Sequence, residues 1–185
     1  MAELVINKEK FIERLEKLQS DWLAHKSTVY GGADALCIPL GTAGDSIYSK
    51  SSAFHLSFFG NEELTDSVTL IVKNTFYFMS STKKCNFVKQ HLGESIKGFT
   101  LVYLERTKDE GMNREHFNKL MNVVRKGGGK KLGSLFKDKF NGAFIPQWME
   151  FVEQSQIEQV EIAPALGLFF SLKDETEVVS SLLFS

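Results

Sequence analysis

Residues 68–92 read VTLIVKNTFYFMSSTKKCNFVKQHL, and the change of period inside this stretch decides the fold. Val68–Lys73 and Thr75–Ser80 are rich in β-branched and aromatic residues and meet at Asn74, the pattern of an antiparallel hairpin. The first of these runs is apolar on both faces, which predicts a strand in the middle of a sheet. From Lys83 to Leu92 the spacing suits a helix, and Phe99–Leu104 returns to strand. A hairpin followed by helix and strand implies an α/β domain with a mixed sheet and helices on both faces.

Toward the amino terminus the same alternation continues. Asp34–Leu40 is a short apolar run closed by Pro39 and Gly41 and reads as the first strand, followed by a loop over Gly41–Ser46. Before it, Asn7 is placed to cap a helix with Glu9 in its first turn, and Phe11, Leu15, Leu18 and Trp22 recur at helical spacing as one buried stripe. Glu13 and Lys17 stand four apart on the opposite side, in the favourable order for a solvated pair. Tyr48–Phe59 is expected to be a helix stopped by Gly60.

Toward the carboxyl terminus, Phe117, Leu120, Met121 and Val124 mark an amphipathic helix that ends at glycines 127–129. Leu132–Phe136 repeats the strand signal, Phe144, Trp148, Phe151 and Val152 form another helical stripe, and Val160–Ile162 reads as a short last strand. Both tryptophans close their stripes and are expected to be buried. Pro164–Ser171 and Glu175–Ser185 suit two further helical segments. The second ends on Leu182, Leu183 and Phe184 with nothing after them to cover them. Residues 1–175 are therefore expected to form one α/β lobe, and 176–185 to begin a helical connection to further structure.

Composition narrows the function. The 185 residues carry 22 basic and 23 acidic side chains for a formal charge of -1, so the chain as a whole lacks the positive field of a dedicated nucleic-acid binder. A hydrophobic fraction of 43%, with sixteen Phe, supplies the apolar area that a folded core needs. Cys37 and Cys85 are too few for a zinc cluster or a disulfide framework and read as reduced packing thiols. The opening MAELVINKEK has no apolar signal core, and no glycosylation sequon occurs, so an intracellular soluble protein without membrane contact is expected.

No catalytic constellation emerges. Lys126–Ser134, KGGGKKLGS, superficially suggests a phosphate loop, but the order is helix, glycines, strand, and Lys131 stands where Ser or Thr is required. A glycine helix stop is the expected reading. Ser80–Lys83 and Ser134–Lys137 fit Ser-x-x-Lys, yet the companion motifs are missing and both read as strand ends entering turns. His25, His55, His91 and His116 are scattered, with no metal spacing. His55, amid Phe54, Phe58 and Phe59, is expected to be a hydrogen-bonded histidine in or at the core. Glu62, Glu63 and Asp66 are expected to be solvated on a turn. Catalytic, metal and cofactor residues are all read as none.

One loop stands out. Lys137–Phe144, KDKFNGAF, alternates charge and aromatic groups directly after a strand and before a helix, where a rigid sheet can present it to a partner. Lys137, Asp138, Lys139 and Phe140 are the candidate partner-binding residues, with Phe140 as exposed anchor and Lys83 and Lys84 at a neighbouring strand-to-helix turn as helpers. The competing reading makes Asn141 or Gly142 the cap of the next helix and the lysines merely solvated. The lysines favour an acidic or mixed-charge partner over a basic one.

Three segments together resemble a known family: KSSAFHLSFFG at 50–60 with Leu64–Asp66, FMSSTKK at 78–84, and Gly133 through Lys137-Asp-Lys-Phe to Gly142. With Trp22, their order is similar to the amino-terminal lobe of the large subunit of the FACT histone chaperone, over roughly residues 6 to 175. Two departures are the extra residue within Asn61–Glu63, where the family more typically has Gly-Tyr-Glu-Leu, and Asn141 in place of a frequent Pro. The resemblance implies the small lobe of the creatinase and aminopeptidase P architecture, followed in the family by a larger "pita-bread" lobe. It also implies a non-catalytic protein-interaction role in a nuclear, chromatin-bound chaperone acting during transcription, replication and repair. Implied partners are histones (H3–H4 or H2A–H2B), replication or transcription proteins, and an HMG-type small subunit bound through other parts of the full-length protein. The competing function is the substrate-gating lobe of a metal-dependent proline aminopeptidase, and autonomous DNA binding is a third class that the balanced charge opposes.

Overall fold

Each helix begins and ends where side-chain chemistry satisfies its free backbone groups. In the computed structural model, which describes residues 5–42, 49–60 and 64–171, helix α1 runs Lys8–His25 and the Asn7 carboxamide accepts the Lys10 N–H at 3.0 Å. Phe11, Leu15, Leu18 and Trp22 are all buried on one side, while the Glu13–Lys17 pair lies on the surface at 2.8 Å. Helix α2 (Lys50–Phe59) is capped by Ser49 and ends at Gly60, whose φ of +64° no β-carbon opposes. Helix α3 (Thr82–Leu92) is capped by Ser81, α4 (Glu110–Lys126) by Asp109, and α5 spans Phe144–Gln154. Residues 163–171 are helical as well.

The strands are β1 (Ala35–Leu40), β2 (Ser67–Val72), β3 (Thr75–Ser81), β4 (Ser95–Ile96), β5 (Phe99–Arg106), β6 (Lys131–Ser134) and β7 (Glu158–Glu161). They form one sheet in the order β4-β5-β3-β2-β1-β6-β7. β1–β2, β2–β3 and β4–β5 are antiparallel, whereas β3–β5, β1–β6 and β6–β7 are parallel. The sheet is mixed, and β2 lies at its centre. In the hairpin, Val72 and Thr75 pair across a two-residue turn in which Lys73 takes φ +52°.

Period-two alternation sorts the strand side chains into two cores. Leu36, Ile38, Ile71, Phe76 and Phe78 face α1, α2, α3 and the 163–171 helix, whereas Ala35, Cys37, Val68, Leu70 and Met79 face α4 and α5. Helices thus cover both faces. Both cysteines are buried and free. His55 is fully buried, with Nδ1 2.8 Å from the Ser51 carbonyl and its ring 5.8 Å from that of Phe59.

The glycine run is a helix stop. α4 ends at Lys126, and the Gly129 N–H returns to the Val124 carbonyl at 3.1 Å. The amides a phosphate would require are already donated: Lys130 and Lys131 N–H both reach Asp34 Oδ2, at 2.9 and 3.1 Å.

Several boundaries differ from the sequence expectation. β6 ends at Ser134 and not at Phe136, because Leu135 turns into the core and the Ser134 carbonyl is taken by the Ile162 N–H at 3.0 Å. β7 begins earlier, within the polar Glu158–Glu161, as an edge strand that exposes most of its side chains in part. Neither Asn141 nor Gly142 caps α5: the cap position is Ala143, without a side-chain hydrogen bond, and Pro146 in the first turn has no N–H to satisfy. The rest of the 41–46 loop after Thr42, the start of the second helix at Tyr48, Glu62, Glu63 and the 175–185 segment lie outside the described residues.

Candidate partner-binding site

β1, β3, β5, β6 and β7 point the same way, so their carboxyl ends share one edge of the sheet with the start of antiparallel β2. The loop after β6 leaves from this edge. Leu135 is fully buried and plugs the loop's base, and the Asp138 N–H closes a turn onto its carbonyl at 3.1 Å. At the far end Gly142 adopts φ +88°, and a β-carbon there would lie 2.5 Å from Thr42 Cγ2. Only glycine fits that approach.

The turn leaves Lys137 and Lys139 exposed and Asp138 half-buried. Phe140, expected as the exposed anchor, is half-buried and packs against both cores. The aromatic presented to solvent is Phe136, 39% exposed. The strand signal runs on to Phe136 in the sequence and so places that ring in the sheet, two residues beyond where the strand ends. Alternation past Ser134, with Leu135 in and Phe136 out, is the signal that would have found it.

A second carboxylate joins the loop from β7. Glu161 accepts the backbone N–H groups of Phe136 and Lys137, and burial first, then the neighbouring Asp138 carboxylate, push it above the usual carboxylate range against those bonds. Burial raises Asp138 as well. The loop therefore presents one exposed ring and two exposed ammonium groups over a pair of half-buried acids. Its charge is mixed.

Lys83 and Lys84 lie on the same edge but not in the same patch. β2 and β1 stand between β3 and β6, three strand spacings or roughly 14 Å. Lys84 Nζ is bonded to the Thr65 carbonyl at 2.6 Å and its Oγ1 at 3.1 Å, anchoring the entry to β2, whereas Lys83 is exposed. Among the described residues there is no group of three or more His, Cys, Asp or Glu able to hold a metal ion, and no helix is long and apolar enough to cross a membrane.

This edge, loop and sheet order can be set beside known proteins. The family model for the FACT complex subunit SPT16 N-terminal lobe domain matches residues 6–165. The chain belongs to this family. The SPT16 relatives include the FACT complex subunit ctc-2 of Neurospora crassa, 31% identical over 187 residues, and SPT16 of Arabidopsis thaliana, 27% identical over 183 residues. The chain spans 17% of the length of each of these proteins. Among solved structures, the N-terminal domain of SPT16 from Eremothecium gossypii superposes with a TM-score of 0.79 at 23% identity, covering 90% of this chain and 38% of that one. An aminopeptidase P from Streptococcus thermophilus gives 0.53 at 15% identity, covering 86% and 97%. The SPT16 lobe thus has the aminopeptidase-P-like fold implied by the sequence resemblance.

Proposed function

We propose that this SPT16-type lobe is a non-catalytic protein-interaction module of a histone chaperone acting on nucleosomes in the nucleus. Its partners are histones (H3–H4 or H2A–H2B) and replication or transcription proteins, and the HMG-type small FACT subunit binds elsewhere in the full-length protein. The observation that carries this reading is the family match over residues 6–165 combined with a loop whose exposed groups suit protein contact. The aminopeptidase likeness, at 15% identity, speaks to fold and not to peptide hydrolysis.

Within the lobe, the contact surface is the loop after β6, with Phe136 replacing Phe140 as the apolar anchor. An exposed ring ringed by Lys137, Lys139 and Asp138 can desolvate a small apolar contact inside a rim of hydrogen-bonding charge. Lys83 extends the edge, while Lys84 is structural. The mixed charge fits a partner that is itself acidic or mixed.

The test is Phe136→Ala combined with Lys137→Glu and Lys139→Glu, three exposed positions whose replacement leaves the fold intact by circular dichroism. Titrated against H3–H4, H2A–H2B and acidic replication proteins, the variant is expected to lose about tenfold or more in affinity for at least one partner of the parent chain. Equal affinity for every partner removes the loop from the binding surface.

A further inference from the structure

At the opposite edge of the sheet, where the parallel strands begin, a cavity of about 140 Å³ opens between the carboxyl ends of α1 and α4 and the β2–β3 turn. Its floor is apolar and its rim polar: Trp22 and Val124 are buried at the floor, Val72 closes one side, Leu23 stands 71% exposed at the mouth, and Gln19, Lys26, Asp34 and Lys73 complete the wall. The floor is fixed, since the Trp22 indole N–H donates to the Ala33 carbonyl at 2.9 Å. Gly127 and Gly129 line the cavity without side chains to obstruct entry. A void near 150 Å³ accommodates a group the size of benzene, so one Phe or Leu side chain fits over the apolar floor.

The mouth is cationic. Lys73, held at the tip of its turn by φ +52°, brings its Nζ to 3.7 Å from where a β-carbon on Gly127 would sit. Exposed Lys126 and Lys130 flank the same glycine turn. The one acid in the wall, Asp34, is already engaged by Lys26 at 2.8 Å and by two backbone N–H groups. Among the described residues, Lys73, Lys126 and Lys130 have no ion-pair partner. The β2–β3 turn thus sets Lys73 in the cavity wall, and the end of α4 and the glycine turn after it add Lys126 and Lys130 beside Gly127 and Gly129, which line the same cavity.

We propose that this groove docks an acidic peptide segment carrying one bulky apolar side chain, the side chain seated against Leu23 and Trp22 and the flanking carboxylates on Lys73, Lys126 and Lys130. The apolar floor supplies the anchor, and the lysines select the charge of its neighbours. A bare polyanion satisfies only the rim. The surface lies at the opposite end of the strands from the loop after β6, so either can fail without the other.

The experiment uses the 185-residue chain and fluorescence anisotropy at about 150 mM salt, where exposed charges are screened beyond roughly 8 Å. The probes are a labelled Glu/Asp peptide with one central Phe, the same peptide with Ser in its place, and a short duplex DNA. The Phe peptide is expected to bind about tenfold more tightly than the Ser peptide and than DNA. Lys73→Glu with Lys130→Glu, and separately Leu23→Ser, are each expected to weaken it about tenfold with the melting profile unchanged. Lys10→Glu, roughly 20 Å away along α1, is expected to leave it unaltered. No binding of the Phe peptide, equal binding of the two peptides, tighter binding of DNA, or indifference to the Leu23 and Lys73 variants would each overturn the proposal.

Discussion

Trp148→Ala is expected to destabilise the lobe by about 3 to 5 kcal/mol through lost transfer energy and the cavity left behind. Trp148 is 1% exposed and sits at the centre of the α4–α5 core, with the Phe117 ring 5.2 Å away and Phe151 stacked at 6.2 Å. It also touches the sheet through Cys37, whose thiol burial pushes up to about 12 despite a hydrogen bond from Trp148. Removing the indole therefore empties the layer between α5 and β1 and withdraws a donor from a buried sulfur. At about 2 to 4 °C per kcal/mol for a chain of this size, the melting temperature is expected to fall by roughly 10 °C. An unchanged melting temperature would place α5 off the core and undo the account of this face.

The second large effect is on pH dependence and comes from His55. Burial, opposed by the Ser51 carbonyl, lowers its pKa to about 4, so the folded state holds a neutral imidazole where the unfolded chain, near 6.5, takes up a proton. The sign follows from which state binds more protons. Stability is full above the unfolded value, is lost as pH falls through 6.5, and stops falling once the folded pKa is passed. Between pH 7 and 5 the loss from this group is about 2 kcal/mol, and about 3 by pH 4. Urea melts across that range compare the parent chain with His55→Gln, which cannot titrate. The parent is expected to show the extra loss and the variant to lack it; parallel profiles would mean that His55 is accessible to protons in the fold.

Much of this fold was legible because the local signals agreed with one another. Asn7 capped its helix, Gly60 and the 127–129 run ended theirs, and the doubly apolar Val68–Val72 proved central because both faces of β2 meet helices. Where the reading missed, a tertiary contact overrode the local pattern. β7 reads as polar because it is an edge strand whose register comes from β6, and β4 is two residues long and exists only through pairing with β5. Phe136 and Phe140 exchange roles because Leu135, just before KDKFNGAF, is drawn into the core. Glu161 beside Asp138, and the cavity between α1 and α4, join residues that are tens of positions apart in the sequence. Such sites become visible only when topology brings the segments together.

The protein-binding reading meets its most direct test in one capture experiment. The chain is immobilised and presented in parallel with H3–H4, H2A–H2B, acidic replication proteins and duplex DNA over a salt series from about 50 to 300 mM. A protein-interaction lobe of balanced charge is expected to retain at least one of the protein partners at the upper salt, while any DNA held at the lower salt is released. Retention of DNA with none of the proteins at the upper salt would contradict that reading.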